Sequence, residues 1–224
     1  MKRILTYVSL LILVPALLAG CGPTAAPPPT ATAPPPTAEP PTPTPTTPPP
    51  TAAPPAEASP APRPEGAFVH YESEAFGFAL EHPEAWDIVE RERLNTILFV
   101  VPGTGVEGEF RANLNVGVQE AAPPLDSLGA YTDAFLDAAP DQIDDFELLS
   151  SEPALLDGRP AHRVVYTGSQ TGLPLKWLQV WALDAGRAYI VTYTAEPTIF
   201  DRHLPQAEYV ISTIEIAPAP AAGR

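Results

Sequence analysis

Residues 177–195 read WLQVWALDAGRAYIVTYTA. Two runs of apolar, β-branched and aromatic residues flank Asp184-Ala185-Gly186-Arg187. Such residues suit a pleated, half-buried surface, and a short glycine-bearing turn between two such runs reads as a hairpin. A connection this short joins antiparallel strands, because a parallel pair needs a crossover of a dozen residues or more. The stretch therefore predicts strands over 175–183 and 188–195 and decides the class of sheet.

Working outward, Asp157-Gly158 marks a second hairpin turn between strand-like runs at 146–153 and 161–167. Further upstream, 76–80 and 85–89 flank the turn His82-Pro83-Glu84, and 95–101 and 112–119 are rich in Val, Ile, Leu and Phe. These are expected to form an antiparallel meander. Two segments carry the helical period instead. After Pro123-Pro124, Asp126 is placed to cap, Leu125, Leu128, Tyr131 and Phe135 recur at helical spacing, and Pro140 is expected to close the element. Pro197 opens a second helix in which Phe200, Leu204, Ala207, Ile211 and Ile214 share a face, with Pro205 expected to kink or divide it. Strands, helix, strands, helix, joined by tight hairpins, is an α+β pattern: a central antiparallel β-sheet flanked by helices.

Four stretches, FGFALEHPEAWDI (76–88), LDGRPAHRVVYTG (156–168), the hairpin 177–195 and the terminal ISTIEI (211–216), resemble the PsbP-like domain family. That family includes an extrinsic subunit of photosystem II and many bacterial lipoproteins. The resemblance implies an α/β/α sandwich and a role in binding or assembly, and it supplies no catalytic residue to carry over.

The amino terminus gives an address. Lys2 and Arg3 precede an apolar run from Ile4 to Leu18, about 15 residues and short for a membrane span, which is the layout of a secretory signal. Leu18-Ala19-Gly20-Cys21 then resembles a bacterial lipobox, in which the cysteine accepts diacylglycerol. Residues 1–20 are read as a lipoprotein signal peptide and Cys21, the single cysteine, as a lipidated anchor whose acyl chains, palmitate among them, hold the protein on the extracytoplasmic face of the cell membrane. Between residues 22 and 65 stand 19 prolines with threonine and alanine as the main company, so 21–66 is read as a disordered linker, too poor in apolar side chains to offset ordering entropy. In polyproline II form it would reach about 140 Å. The domain is expected over 67–217, with 218–224 a disordered tail.

Of the 27 acidic residues 24 fall in that domain, against 8 of the 12 basic ones, a net charge of −16. Such a surface repels nucleic acid and anionic lipid, which require clustered Lys and Arg. No nucleic-acid partner is expected; the electrostatic match is a cation or a basic protein partner in the envelope.

Catalytic signatures are missing from the sequence. Gly103 to Gly108 fits G-x-G-x-x-G, yet 111–119 alternates as a strand where a dinucleotide loop requires a helix. In Gly168 to Gly172 the centre is Gln170, where a nucleophile elbow needs serine. His70, His82, His162 and His203 are scattered, with no H-E-x-x-H. Neither enzymatic activity nor a cofactor is expected. Two candidate sites remain. Asp141, Asp144, Asp145 and Glu147 supply hard oxygen ligands for a cation, although without the spacing of a compact calcium loop, and His70, Glu72 and Glu74 form a weaker alternating set. Trp177, Gln179 and Trp181 share one strand face, and Tyr189, Val191 and Tyr193 share a face of its partner, with Tyr166 and His162 extending the row. Large aromatics with a polar residue among them form either a ligand or partner surface or the core beneath a helix.

Overall fold

The structure, a computed structural model, describes residues 61–105 and 110–218. The residues read as a signal peptide, Cys21, the residues read as a linker as far as residue 60, the middle of the glycine motif at 106–109 and the residues from 219 on lie outside the described residues. In chain order the elements are β1 (Phe68–Ser73), β2 (Phe78–Pro83), β3 (Asp87–Arg91), a single 3-10 turn (Glu92–Leu94), β4 (Thr96–Val100), β5 (Asn113–Glu120), α1 (Leu128–Gln142), β6 (Asp144–Leu156), β7 (Arg159–Gln170), β8 (Leu173–Asp184), β9 (Arg187–Ala195), α2 (Pro197–Ser212) and β10 (Glu215–Ile216). The strands form a seven-stranded sheet ordered β3-β4-β5-β9-β8-β7-β6 and a three-stranded sheet ordered β1-β2-β10, every pairing antiparallel.

Three hairpins in a row, β6-β7-β8-β9, turn on Asp157-Gly158, Thr171-Gly172 and Ala185-Gly186, and all six residues have positive φ, between 48° and 81°. Two-residue turns of that hand match the right-handed twist of the strands they join. Gly168 is required for another reason. A Cβ there would lie 2.5 Å from Ile143 Cγ2 and 2.9 Å from the Asp144 carbonyl oxygen, so only glycine lets the α1-to-β6 corner cross β7 this closely. Gly105 plays the same part in the β4-β5 loop, where a Cβ would meet the Phe110 carbonyl oxygen at 2.2 Å. The glycines at 103 and 105 thus serve a strand-to-strand connection, and β5 follows where a nucleotide loop would need a helix.

Because side chains alternate along a strand, the large sheet has two different faces. Leu114 and Val116 of β5, Val191 and Tyr193 of β9, and Leu178 and Val180 of β8 pack with Phe200, Ala207 and Val210 of α2 and with Phe78 and Leu80 of β2. The Tyr193 hydroxyl donates to the Phe200 carbonyl at 2.9 Å, pinning the first turn of α2 to the sheet. On the opposite face Val164, Tyr166, Trp177, Trp181 and Ile190 pack under Tyr131, Phe135 and Ala139 of α1. The layers are α1, the seven-stranded sheet, and then α2 beside the small sheet.

Four expectations are corrected. The strands around His82-Pro83-Glu84 do not pair with each other: β2 belongs to the small sheet and β3 to the large one, and the chain passes between them at the buried Trp86, whose N–H donates to the Pro83 carbonyl at 2.9 Å. Ser127, not Asp126, caps α1, its Oγ accepting from the Ala130 N–H at 3.2 Å. Pro140 sits inside the last turn of α1 and does not end it. Likewise Pro205 does not divide α2, which runs from Pro197 to Ser212 as one helix.

Candidate functional site

Register separates the aromatic constellation read from the sequence into two halves. With only Ala185 and Gly186 in the turn, Trp181 lies across from Ile190, Gln179 from Thr192 and Trp177 from Thr194. Tyr189 and Tyr193 lie across from Ala182 and Leu178 and face α2 and the small sheet, while the two tryptophans face α1. The extension across β7 is present: His162 pairs with Trp181 and Tyr166 with Trp177, the rings stacked at 5.5 Å and 5.1 Å. The five candidate surface residues Trp177, Gln179, Trp181, Tyr189 and Tyr193 are all buried. Helices on both faces consume them, and burying one such ring contributes on the order of 1.5–3 kcal/mol.

Three pairs of polar groups are matched in this core. Trp181 Nε1 donates to Thr132 Oγ1 at 3.1 Å, the Tyr166 hydroxyl donates to Gln179 Oε1 at 3.3 Å, and Gln119 Nε2 donates to the Tyr131 hydroxyl at 2.5 Å. Burial pushes the Tyr131 and Tyr166 phenols well above their ordinary range. Beside them lies an uncharged polar row that sequence reading missed. Asn113 pairs across with Thr194, and Asn115 with Thr192, which in turn faces Gln179; all five side chains are buried on the α1 side. Asn113 Nδ2 donates to the Arg111 carbonyl at 2.9 Å, while Asn113 Oδ1 is buried without a partner. The signal was the alternation N-x-N at 113–115 beside T-x-T at 192–194.

The acidic run does not converge. Asp141 lies in the last turn of α1, Asp144, Asp145 and Glu147 lie at the start of β6, and all four are exposed. Asp145 has φ +54° and accepts from Ser169 Oγ at 3.4 Å. Among the described residues no group of three His, Cys, Asp or Glu side chains is placed to hold a metal ion, so the cation candidate and the set His70, Glu72 and Glu74 are not assembled into a site. The acidic stretch has a different neighbour. Register shifts between Asp144 and Glu147 and between Leu148 and Ser150 make bulges in the edge strand β6, and Leu148 and Leu149 stand 42% and 47% exposed there. A bulge re-aims side chains and bends an edge away from strand pairing. Asp133 and Asp137 of α1 are exposed as well, and from 112 to 158 the chain has no Lys, Arg or His. The end of α1 and the start of β6 therefore contribute charged side chains of one sign, with an apolar pair on the edge strand; further along β6, Glu152 pairs with Arg163 of β7 at 2.9 Å.

The histidines are separate. His82 is buried beside Tyr71 and Phe99, with Nδ1 2.9 Å from the Pro83 carbonyl oxygen, and His162 Nε2 lies 2.8 Å from Ser151 Oγ. Burial lowers the pKa of His82, His162 and His203.

No family model matches this chain, and no curated protein does. Solved structures do. The solution structure of cyanobacterial PsbP (CyanoP) from Synechocystis sp. PCC 6803 superposes with a TM-score of 0.50 at 16% identity, over 71% of this chain and 98% of that one. LpqN, involved in cell envelope biogenesis of Mycobacterium tuberculosis, gives 0.49 at 14% identity, over 68% and 91%. PA94 of Pseudomonas aeruginosa, a protein of unknown function, gives 0.49 at 22% identity, over 70% and 100%. With its antiparallel sheet, two helices and this likeness to CyanoP, the domain has a PsbP-like fold. Among the described residues no helix is long and apolar enough to cross a membrane.

Proposed function

We propose that the protein is a lipid-anchored, extracytoplasmic binding module, held on the membrane through Cys21 and a proline-threonine tether, whose α1 and β6 flank grips a basic partner in the envelope. The observation that carries the binding role is the exposed pair Leu148 and Leu149 on the bulged edge, directly following in sequence the exposed Asp141, Asp144, Asp145 and Glu147. Adjacent exposed leucines on an otherwise charged surface are the composition of an interaction patch, and the uniform acidity selects the sign of the partner and speeds encounter with it. The address is supported by the lipobox-like Leu18-Ala19-Gly20-Cys21 after an apolar run.

The test is affinity capture of tagged full-length protein from gently crosslinked native membranes, with Cys21→Ala and Leu148→Ser/Leu149→Ser variants in parallel. A basic protein recovered with the unaltered chain and lost with the leucine variant is the expected result, and Cys21→Ala should leave the membrane fraction. Equal recovery with the leucine variant would overturn the assignment of the flank, and retention of Cys21→Ala on the membrane would overturn the anchor.

A second reading, a small-ligand binder, is favoured by the unpartnered Asn113 Oδ1 in the uncharged row. Its test is the side-chain amide NMR signals of Asn113 and Gln179, which a bound neutral ligand would shift.

A further inference from the structure

Away from that flank, where the chain enters the domain, Arg63 is held by three groups. Its guanidinium lies 5.2 Å from the Phe68 ring centroid and 5.5 Å from that of Tyr209, and Nη1 is 3.3 Å from Glu81 Oε2. The three groups also contact one another. Phe68 and Tyr209 meet edge to face at 4.7 Å and 70°, and the Tyr209 hydroxyl donates to Glu81 Oε2 at 2.5 Å. Glu81 is fixed in turn, because its N–H donates to Thr213 Oγ1 at 3.0 Å. Tyr209 is buried in α2, Phe68 begins β1, and Glu81 lies on β2, so the notch is built from three packed elements while Arg63 itself is 52% exposed.

Two aromatic rings and a carboxylate are the chemistry that recognises an organic cation: ring faces attract the positive charge, and a planar guanidinium stacks on them while it pairs with the acid. We propose that the Phe68, Tyr209 and Glu81 notch is a binding site for guanidinium or quaternary ammonium groups, occupied in cis by Arg63 as an intramolecular plug. Arg63 is five residues from Phe68 in the chain, so its effective concentration at the notch is of millimolar order or above, and a lone external cation competes poorly with it. A partner that presents an arginine and is held nearby by other contacts displaces the plug and frees the entering segment from the domain. The site is separate from the α1 and β6 flank and does not depend on it.

The experiment compares unaltered full-length protein with Arg63→Ala and Arg63→Gln, in polyoxyethylene detergent, titrated with Nα-acetylarginine amide and with tetramethylammonium and read by the NMR signals of the Tyr209 and Phe68 rings. Arg63→Gln keeps a polar stem in the notch, so loss of folding in one variant leaves the other to decide. Both variants are expected to bind the probes saturably and roughly tenfold more tightly than the unaltered chain. Adding Tyr209→Leu to Arg63→Ala should abolish that binding. Ring signals that do not respond in either folded variant, or that respond equally in all three proteins, would overturn the proposal.

Discussion

Trp181 Nε1 donates to Thr132 Oγ1 across 3.1 Å, joining a central strand to the helix that covers it. Trp181 has no exposed surface, and Phe135 of the same helix packs on its ring at 4.9 Å. The indole N–H therefore has to be matched within the core. Thr132→Val keeps the shape and removes the acceptor, and should cost about 1–3 kcal/mol of unfolding free energy. Urea denaturation followed by tryptophan fluorescence measures it, and a change below a few tenths of a kcal/mol would refute the role of the bond.

Gly168→Ala is expected to be one of the more damaging single-methyl additions in the domain, since the new Cβ meets Ile143 and the Asp144 backbone together. Overpacking of this kind costs typically about 1–3 kcal/mol. Gly158→Ala, where a Cβ meets nothing within 4 Å, isolates the backbone cost of φ +70° alone. The thermal midpoint should fall further for Gly168→Ala.

Ala185 holds φ +48° at the first turn position of the hairpin, a conformation that alanine adopts at a cost. Ala185→Asn should stabilise the domain by about 0.5–1 kcal/mol, because asparagine tolerates the left-handed region and suits this turn. A rise in the thermal midpoint of about 2 °C is the expected reading.

Acid should weaken the fold partly through its histidines. Burial lowers the pKa of His82, His162 and His203, so the unfolded chain binds protons that the native one refuses. Their contribution is fully present above the ordinary histidine value and is lost as pH falls below it towards the depressed native values. Stability measured from pH 7.5 to 5 should decline, and His82→Phe, the most buried case, should flatten the decline. A slope unchanged in that variant would remove His82 from the account.

Tyr71 reports on the contact between the two sheets. Burial first, then the 2.9 Å hydrogen bond it donates to Glu90 Oε1, pushes its phenol up to about 12. Glu90→Gln should bring its ionisation down in an ultraviolet titration, and an unchanged titration would place the whole shift on burial.

Local chemistry made the hairpin at 177–195, the Asp157-Gly158 turn, both helices and the class of sheet legible from the amino acids alone, because turn residues and periodicity act over a few positions. The pairing parity that splits Trp177 and Trp181 from Tyr189 and Tyr193 was also latent there, since a two-residue turn puts odd-numbered residues of one strand opposite even-numbered residues of the other. Other features depend on residues far apart in sequence. That β2 leaves the large sheet to pair with β10, that Gly168 yields to Ile143, that Leu148 and Leu149 reach solvent, and that Arg63 lies between Phe68 and Tyr209 were decided by tertiary structure. Burial and close approach belong to pairs of surfaces, and a linear pattern specifies which side chains are apolar, not which other surface will cover them.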